Sequence, residues 1–325
     1  MASHRPLSSR LRRLAAGLGL SAFAALSFAQ DTGCPAAAQA PTQAEVEAGM
    51  KAARDRGFLW RIRKDGRTSF LYGTVHVGRA AWAYPGPRLS EAVRASSTVA
   101  LEMDMLDPVI VQAMQAGLAE APRRPLPAAL EARLKAQLKA ACLPEEMLSA
   151  MSPEMLVTTL VVFAARRDGL DAAWGIDAVY AGLARGLKRP VVSLETPAQQ
   201  FAVLQGATPT ETVDMVRDGL DDLESPKLRA MIRRLAEDWA EGRLDDLSAY
   251  ESWCDCLKTP AQRELFRRML DERNPAMADK IDALHARGER VFTAVGSLHM
   301  IGPTGLPALM AARGYQVERV AFAAP

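Results

Sequence analysis

Histidine is scarce in this chain, at four in 325 residues, and the motifs that most often carry hydrolytic chemistry are missing. Without a His-Glu-x-x-His pair, a zinc-protease helix is not expected. Without Gly-x-Ser-x-Gly, no nucleophile elbow for a Ser/His/Asp triad is identifiable. A glycine-rich phosphate loop is also absent. Beyond residue 30 no apolar run reaches the roughly 20 residues that a bilayer span needs, so no stable membrane span is expected there. Neither sign of charge dominates, with 40 Lys plus Arg against 38 Asp plus Glu. The basic pairs Arg123–Arg124, Arg166–Arg167, Arg233–Arg234 and Arg267–Arg268 have carboxylates interspersed among them. They read as a solvated face, and nucleic acid is not an expected partner.

The N-terminus has the pattern of an export signal. Arg5, Arg10, Arg12 and Arg13 precede the apolar run Leu14–Leu26, and Ser27 and Ala29 supply the small-x-small step before a cut after Ala29. The run, about 13 residues, is short for a span. Residues 1–29 are therefore expected to be a cleaved signal peptide and the mature chain to be periplasmic or secreted. Loss of those four arginines takes the formal charge from +2 to −2. Cys34 has no apolar residue three positions before it, which disfavours a lipoprotein. The cysteines Cys34, Cys142, Cys254 and Cys256 admit one or two disulfides in an exported chain, with three complete pairings open. Cys254-Asp255-Cys256 reads as too tight to bridge its own ends, so distant partners are expected. A redox or metal role for Cys-x-Cys is the lesser reading, since no other Cys or His is near in sequence.

Residues 30–54, with Ala, Pro and Gln prominent, read as a linker or N-terminal arm, and residues 55–325 as a single α/β domain. Phe58 to Arg63 and Thr68 to Val77 alternate as two strands around an Asp65-Gly66 turn, which places His76 at a strand end. Ser97 to Asp104 reads as a strand carrying Glu102 and Asp104 on one side at its exit. The middle is helical: Pro108–Leu118, Leu130–Ala141, a helix capped by Ser152 and a helix over Asp177–Leu187. Pro190 to Glu195 is a strand, and residues 197–273 are helical again. Asn274-Pro275 reads as a capped helix start, running to His285. A strand over Arg290–His299, a helix over Pro303–Ala312 and a last strand from Tyr315 complete the chain. The expected fold is α/β: a mixed central sheet formed from N- and C-terminal parts, flanked by helices, with a helical middle insertion.

His4 goes with the signal, and His285, among polar neighbours, reads as surface. The other two share a pattern: Gly73-Thr-Val-His76 and Gly296-Ser-Leu-His299, each after an apolar strand, with Gly78 and Gly302 in the following turns. Strand ends are where α/β proteins place ligand-binding groups, and glycine leaves room for a ligand there. Glu102, also at a strand end, is the first carboxylate to join them. Two imidazoles and one carboxylate suit a divalent transition metal, Zn²⁺ or Mn²⁺, with room for water. Asp104 and Glu195 are candidates for a second carboxylate that takes a proton. The alternative is two histidines that only satisfy their own turns.

These segments resemble the TraB/GumN family, related to the Tiki metalloproteases, over roughly residues 55–322. The resemblance rests on Leu71-Tyr-Gly-Thr-Val-His76-Val-Gly78, Leu101-Glu102-Met-Asp104, Gly175-Ile-Asp177, Leu194-Glu195-Thr196-Pro-Ala-Gln199, Glu272-Arg273-Asn274 and Val295-Gly296-Ser-Leu-His299-Met-Ile-Gly302. It implies one site with His76, Glu102 and His299 at its centre and Glu195, Arg273 and Asn274 nearby. Gly73, Gly78, Asp104, Asp177, Gln199, Gly296 and Gly302 would form the pocket. The implied activity is metal-dependent, peptidase-like hydrolysis. His76 and His299 would bind metal, Glu102 would bind metal or act as base, and Arg273 would hold an anionic or carbonyl group of a peptide or other envelope-derived substrate. The alternative is a non-catalytic binding or accessory protein of the periplasm, linked to envelope or exopolysaccharide processes.

Overall fold

The computed structural model describes residues 33–322, so the export-signal reading of residues 1–29 lies outside the described residues. Six strands form one mixed sheet in the order β4-β3-β5-β2-β1-β6. β1 (Phe58–Lys64) and β2 (Arg67–Thr74) make the expected hairpin, with Lys64 opposite Arg67. Asp65 and Gly66 both have positive φ, the conformation that a two-residue turn needs to match the strand twist. β3 (Thr98–Leu101), β4 (Val191–Ser193) and β5 (Val291–Gly296) run parallel to β2, and β6 (Gln316–Val320) pairs with β1 at one edge.

The late strand β5 inserts between the early strands β2 and β3, which makes the sheet a joint product of both ends of the chain. Every residue of β3 and β5 is buried, as expected of parallel strands covered on both faces. Helix Ile176–Gly186 packs on the sheet through Ile176, Tyr180, Ala181 and Ala184, and helix Asn274–Ala286 buries Met277, Ala278, Ile281 and Leu284. The helical middle has its own apolar cluster, built on Leu130, Leu134, Leu138, Leu156, Leu160, Val216 and Leu220. Its helices begin as the sequence suggests. Ser152, Thr208 and Ser225 each accept a bond from a first-turn N–H, and a proline follows each of them.

Three readings change. Cys254 and Cys256 are bonded to each other rather than to distant partners: Asp255 turns to φ 54° and brings the two Cα atoms to 5.1 Å, inside disulfide range. Cys34 pairs with Cys142. This bond ties down the arm, which also carries a helix, Gln43–Lys51, closed by a Thr42–Glu45 capping box. His285 is buried, not on the surface: it lies on the sheet-facing side of its helix, with Nδ1 2.9 Å from Ser69 Oγ and Nε2 3.0 Å from the Lys64 carbonyl. Asn274 is not a helix cap. The turn before it already supplies backbone partners, with the Arg273 and Asn274 N–H groups donating to Leu270 O, which frees the Asn274 side chain.

The Cys34–Cys142 bond spans 108 residues, and loop closure on that scale stabilises by about 5 kcal/mol in the chain-entropy account. The Cys34→Ser and Cys142→Ser variants should each show a urea midpoint lowered to that extent. An unchanged midpoint would mean that the arm is held by other contacts.

Candidate functional site

Four parallel strands end at the same edge of the sheet, and a polar residue of interest follows each. His76 lies two residues past β2, Glu102 directly after β3, Glu195 two residues past β4, and His299 in the short turn Ser297–Met300 after β5. In register, Thr74 lies beside Gly296, and Leu101 beside both Ala294 and Ser193. The β3–β4 pairing continues past the strands, with Glu195 N donating to Glu102 O at 2.9 Å. Ser297 Oγ donates to Thr74 O at 2.8 Å and joins the two histidine segments.

The two imidazoles are held in the same way. His76 Nδ1 lies 2.8 Å from Asp177 Oδ2, and Asp177 Oδ1 in turn accepts from Thr74 Oγ1. His299 Nδ1 lies 2.6 Å from Asn274 Oδ1. Asn274 Nδ2 donates to Thr304 O, which orients its carbonyl oxygen to His299. Nδ1 therefore donates in both rings and Nε2 is left for the site. Both Nε2 atoms face one carboxylate: His76 Nε2 is 3.9 Å from Glu102 Oε1, and His299 Nε2 is 3.9 Å from Glu102 Oε2.

Arg273 anchors the carboxylates. It donates through Nη2 to Glu102 Oε2 at 2.9 Å, through Nε to Glu195 Oε1 at 2.8 Å, and also to Glu195 Oε2. Gly296 N donates to Glu102 Oε1 at 2.6 Å. A Cβ on Gly296 would sit 3.0 Å from that oxygen and 3.4 Å from His76 Nε2, so glycine keeps the centre of the site open.

The charges follow from this packing. Burial alone would raise Glu102, but His299, His76, Arg273 and the Gly296 N–H hold its pKa down at about 2. Burial drives His299 down to about 4, against the attraction of Glu102. Asp177 raises His76 to about 9, with Glu102 adding to it. The His76 side chain is 64% exposed and that of His299 only 4%, so the site opens to solvent on the His76 side.

Other expected residues lie around this centre or turn away from it. Asp104 is buried, but the strand ends at Leu101, and its side chain pairs with Arg185 and accepts from Leu106 N. Gln199 closes a capping box with Thr196, and its neighbour Gln200 reaches Glu195 Oε2 at 2.7 Å. Gly73 leaves room for Ser297, and its carbonyl accepts from Trp239 Nε1. Gly78 bridges to Asp171, and Gly302 turns the chain after His299 with φ 72°. The sequence reading missed Gln200, Thr74, Ser297 and Thr304. The capping-box pattern Thr196-x-x-Gln199 is the one signal that could have set Gln199 aside in favour of Gln200.

The site offers two Nε2 atoms without a hydrogen-bond partner, each imidazole oriented through Nδ1 by an oxygen, and an ionised carboxylate between them. The spacing is wide. Two ligands at about 2.1 Å from one ion stand roughly 3–3.5 Å apart, less than the 3.9 Å gaps here. Among the described residues no three His, Cys, Asp or Glu side chains converge into a group that could hold a metal ion. Loading would require the imidazoles and Glu102 to close by a fraction of an ångström.

The sheet and site define a mixed α/β protein with two Gly-x-x-His strand ends facing one carboxylate. The chain belongs to the TraB/PrgY/gumN family, whose profile matches residues 58–319. No curated protein and no solved structure matches it.

Two predictions follow from the buried charges. Arg273→Ala leaves two buried carboxylates without their cation and should cost about 3–5 kcal/mol in urea denaturation. A loss under 1 kcal/mol would show that solvent reaches them. In chelator, the histidines act in opposite pH ranges. Between pH 4 and 6.5 the unfolded chain takes up a proton that folded His299 refuses, so stability falls as pH falls. Between pH 6.5 and 9 the folded chain holds a proton on His76 that the unfolded chain has lost, so stability falls as pH rises. Chemical denaturation of His76→Gln against wild type should flatten the alkaline limb and keep the acid one.

Proposed function

We propose that this chain is a metal-dependent hydrolase, peptidase-like in substrate class, acting after export to the periplasm. The observation that carries the reading is the matched pair of imidazoles, each held through Nδ1 and each presenting Nε2 to the same ionised carboxylate. His76, His299 and Glu102 would hold a divalent ion such as Zn²⁺ or Mn²⁺. When bound, the ion would polarise a carbonyl and make a water molecule acidic enough to act as nucleophile near neutral pH.

The chain's own residues supply the rest. Asp177 and Asn274 fix the imidazole orientations, which reduces the reorganisation needed for a ligand to bind. Glu102 is a weak base at a pKa of about 2, so it serves as an anionic ligand rather than as the proton acceptor. Arg273 offsets the negative charge of Glu102 and Glu195 and keeps both carboxylates in place. Glu195 is the remaining acidic group for proton transfer, after release from Arg273. The open side at His76 is the approach for an extended chain such as a peptide.

A second reading is a non-catalytic binding or accessory protein of the envelope, including one tied to exopolysaccharide processes. The wide 3.9 Å spacing favours it, because the side chains as they stand are too far apart to share one bare ion. Elemental analysis of tag-free mature protein separates the two. The hydrolase reading predicts about one equivalent of metal, lost in His76→Ala and His299→Ala. Asp177→Ala and Asn274→Ala should weaken metal affinity about 10–100-fold. Folded protein that stays metal-free after exposure to Zn²⁺, Mn²⁺ and Co²⁺ would overturn it in favour of the binding protein.

A further inference from the structure

The Cys254–Cys256 bond does little that a structural disulfide does. A disulfide stabilises mainly by closing a loop in the unfolded chain, and the effect grows with loop length. Cys34–Cys142 closes 108 residues, whereas Cys254–Cys256 is separated by only two positions in sequence. Closing so short a ring holds Asp255 at φ 54°, a region that residues other than glycine adopt at a cost. The bond therefore sets a local constraint that opening would release, and strained bridges are the more easily reduced ones.

The surroundings differ at the two sulfurs. Cys254 is buried at 5% exposure, and its Sγ accepts from Cys256 N at 3.2 Å, a contact that would stabilise negative charge on that sulfur. Cys256 is half-buried, with its Sγ 3.6 Å from the Tyr250 hydroxyl oxygen. The Asp255 carboxylate between them would repel an incoming thiolate, but Lys227 Nζ at 2.6 Å and Lys258 Nζ at 3.0 Å compensate it.

We propose that Cys254 and Cys256 form a thiol–disulfide exchange site whose substrate is a thiol. An incoming thiolate attacks Cys256 Sγ. The Cys254–Cys256 bond breaks, its electron pair stays on Cys254 Sγ, and the donor is joined to Cys256 as a mixed disulfide. A second thiolate, from the same donor or another molecule of it, attacks the donor sulfur and releases Cys256. The two thiols of the donor end as a disulfide, and their two protons end on Cys254 and Cys256.

The test uses the full mature chain with both bridges formed. It is treated separately with glutathione and with a reduced protein dithiol of the thioredoxin type, quenched by alkylation and mapped by mass spectrometry. The proposal expects Cys254–Cys256 to open at least about tenfold faster than Cys34–Cys142 in one arm or both, with the thermal midpoint unchanged. The responsive arm identifies the source of the thiol. Offered oxidised glutathione, Cys254→Ser should release one reduced glutathione and form a mixed disulfide at Cys256 that further thiol removes, and its yield should exceed that at Cys254 in Cys256→Ser. Opening of the two bridges together, or of Cys254–Cys256 only as the protein unfolds, would overturn the proposal.

Discussion

The parallel pairing of β5 between β2 and β3 is the constraint on which the rest depends. It brings the last apolar strand of the chain against two of the first and aligns their carboxyl ends. His76 and His299 lie 223 positions apart in sequence, yet the register of Thr74 beside Gly296 leaves them facing a common carboxylate. A slip of one residue in β5 would turn its side chains to the opposite face and separate the imidazoles. The helical middle has its own apolar cluster but also reaches this edge, through Trp239, whose Nε1 donates to Gly73 O, and through Glu195 and Arg273 at its junctions with the sheet.

Electrostatics then set what the edge can do. One guanidinium spans two buried carboxylates, and together with His299, His76 and the Gly296 N–H it holds Glu102 ionised in a setting where burial alone would favour protonation. The carboxylate in turn faces two imidazoles of unlike character, one buried and low in pKa, the other open and high. The asymmetry gives the site an inner side that is neutral near pH 7 and an outer side that carries a proton. A divalent cation would have to displace the proton from His76 and meet His299 already deprotonated.

Much of this arrangement was legible in the residues. The repeated Gly-x-x-His after apolar runs marked both strand ends, and Asp65-Gly66 marked the hairpin. Glu102 was legible because it ends a short apolar strand. The misreadings have local causes. His285 has polar neighbours in sequence, but helical spacing places it with Ile281 and Leu284 against the sheet. Asn274 carries a cap residue's chemistry, yet the preceding turn satisfies the helix start and releases it to His299. Cys-x-Cys pairing turned on one unusual backbone angle at Asp255, which sequence does not show. Asp104 follows Glu102 by two, but alternation ends where the strand does, at Leu101.

The account stands or falls on whether His76, His299 and Glu102 bind one ion together. Anomalous diffraction from crystals of residues 30–325 soaked in Mn²⁺ or Zn²⁺ measures this directly. The account predicts one strong peak about 2.1 Å from both Nε2 atoms and in contact with Glu102, with the gaps between ligands closed. A peak elsewhere, or none at this edge while Glu102 stays paired with Arg273, would contradict it.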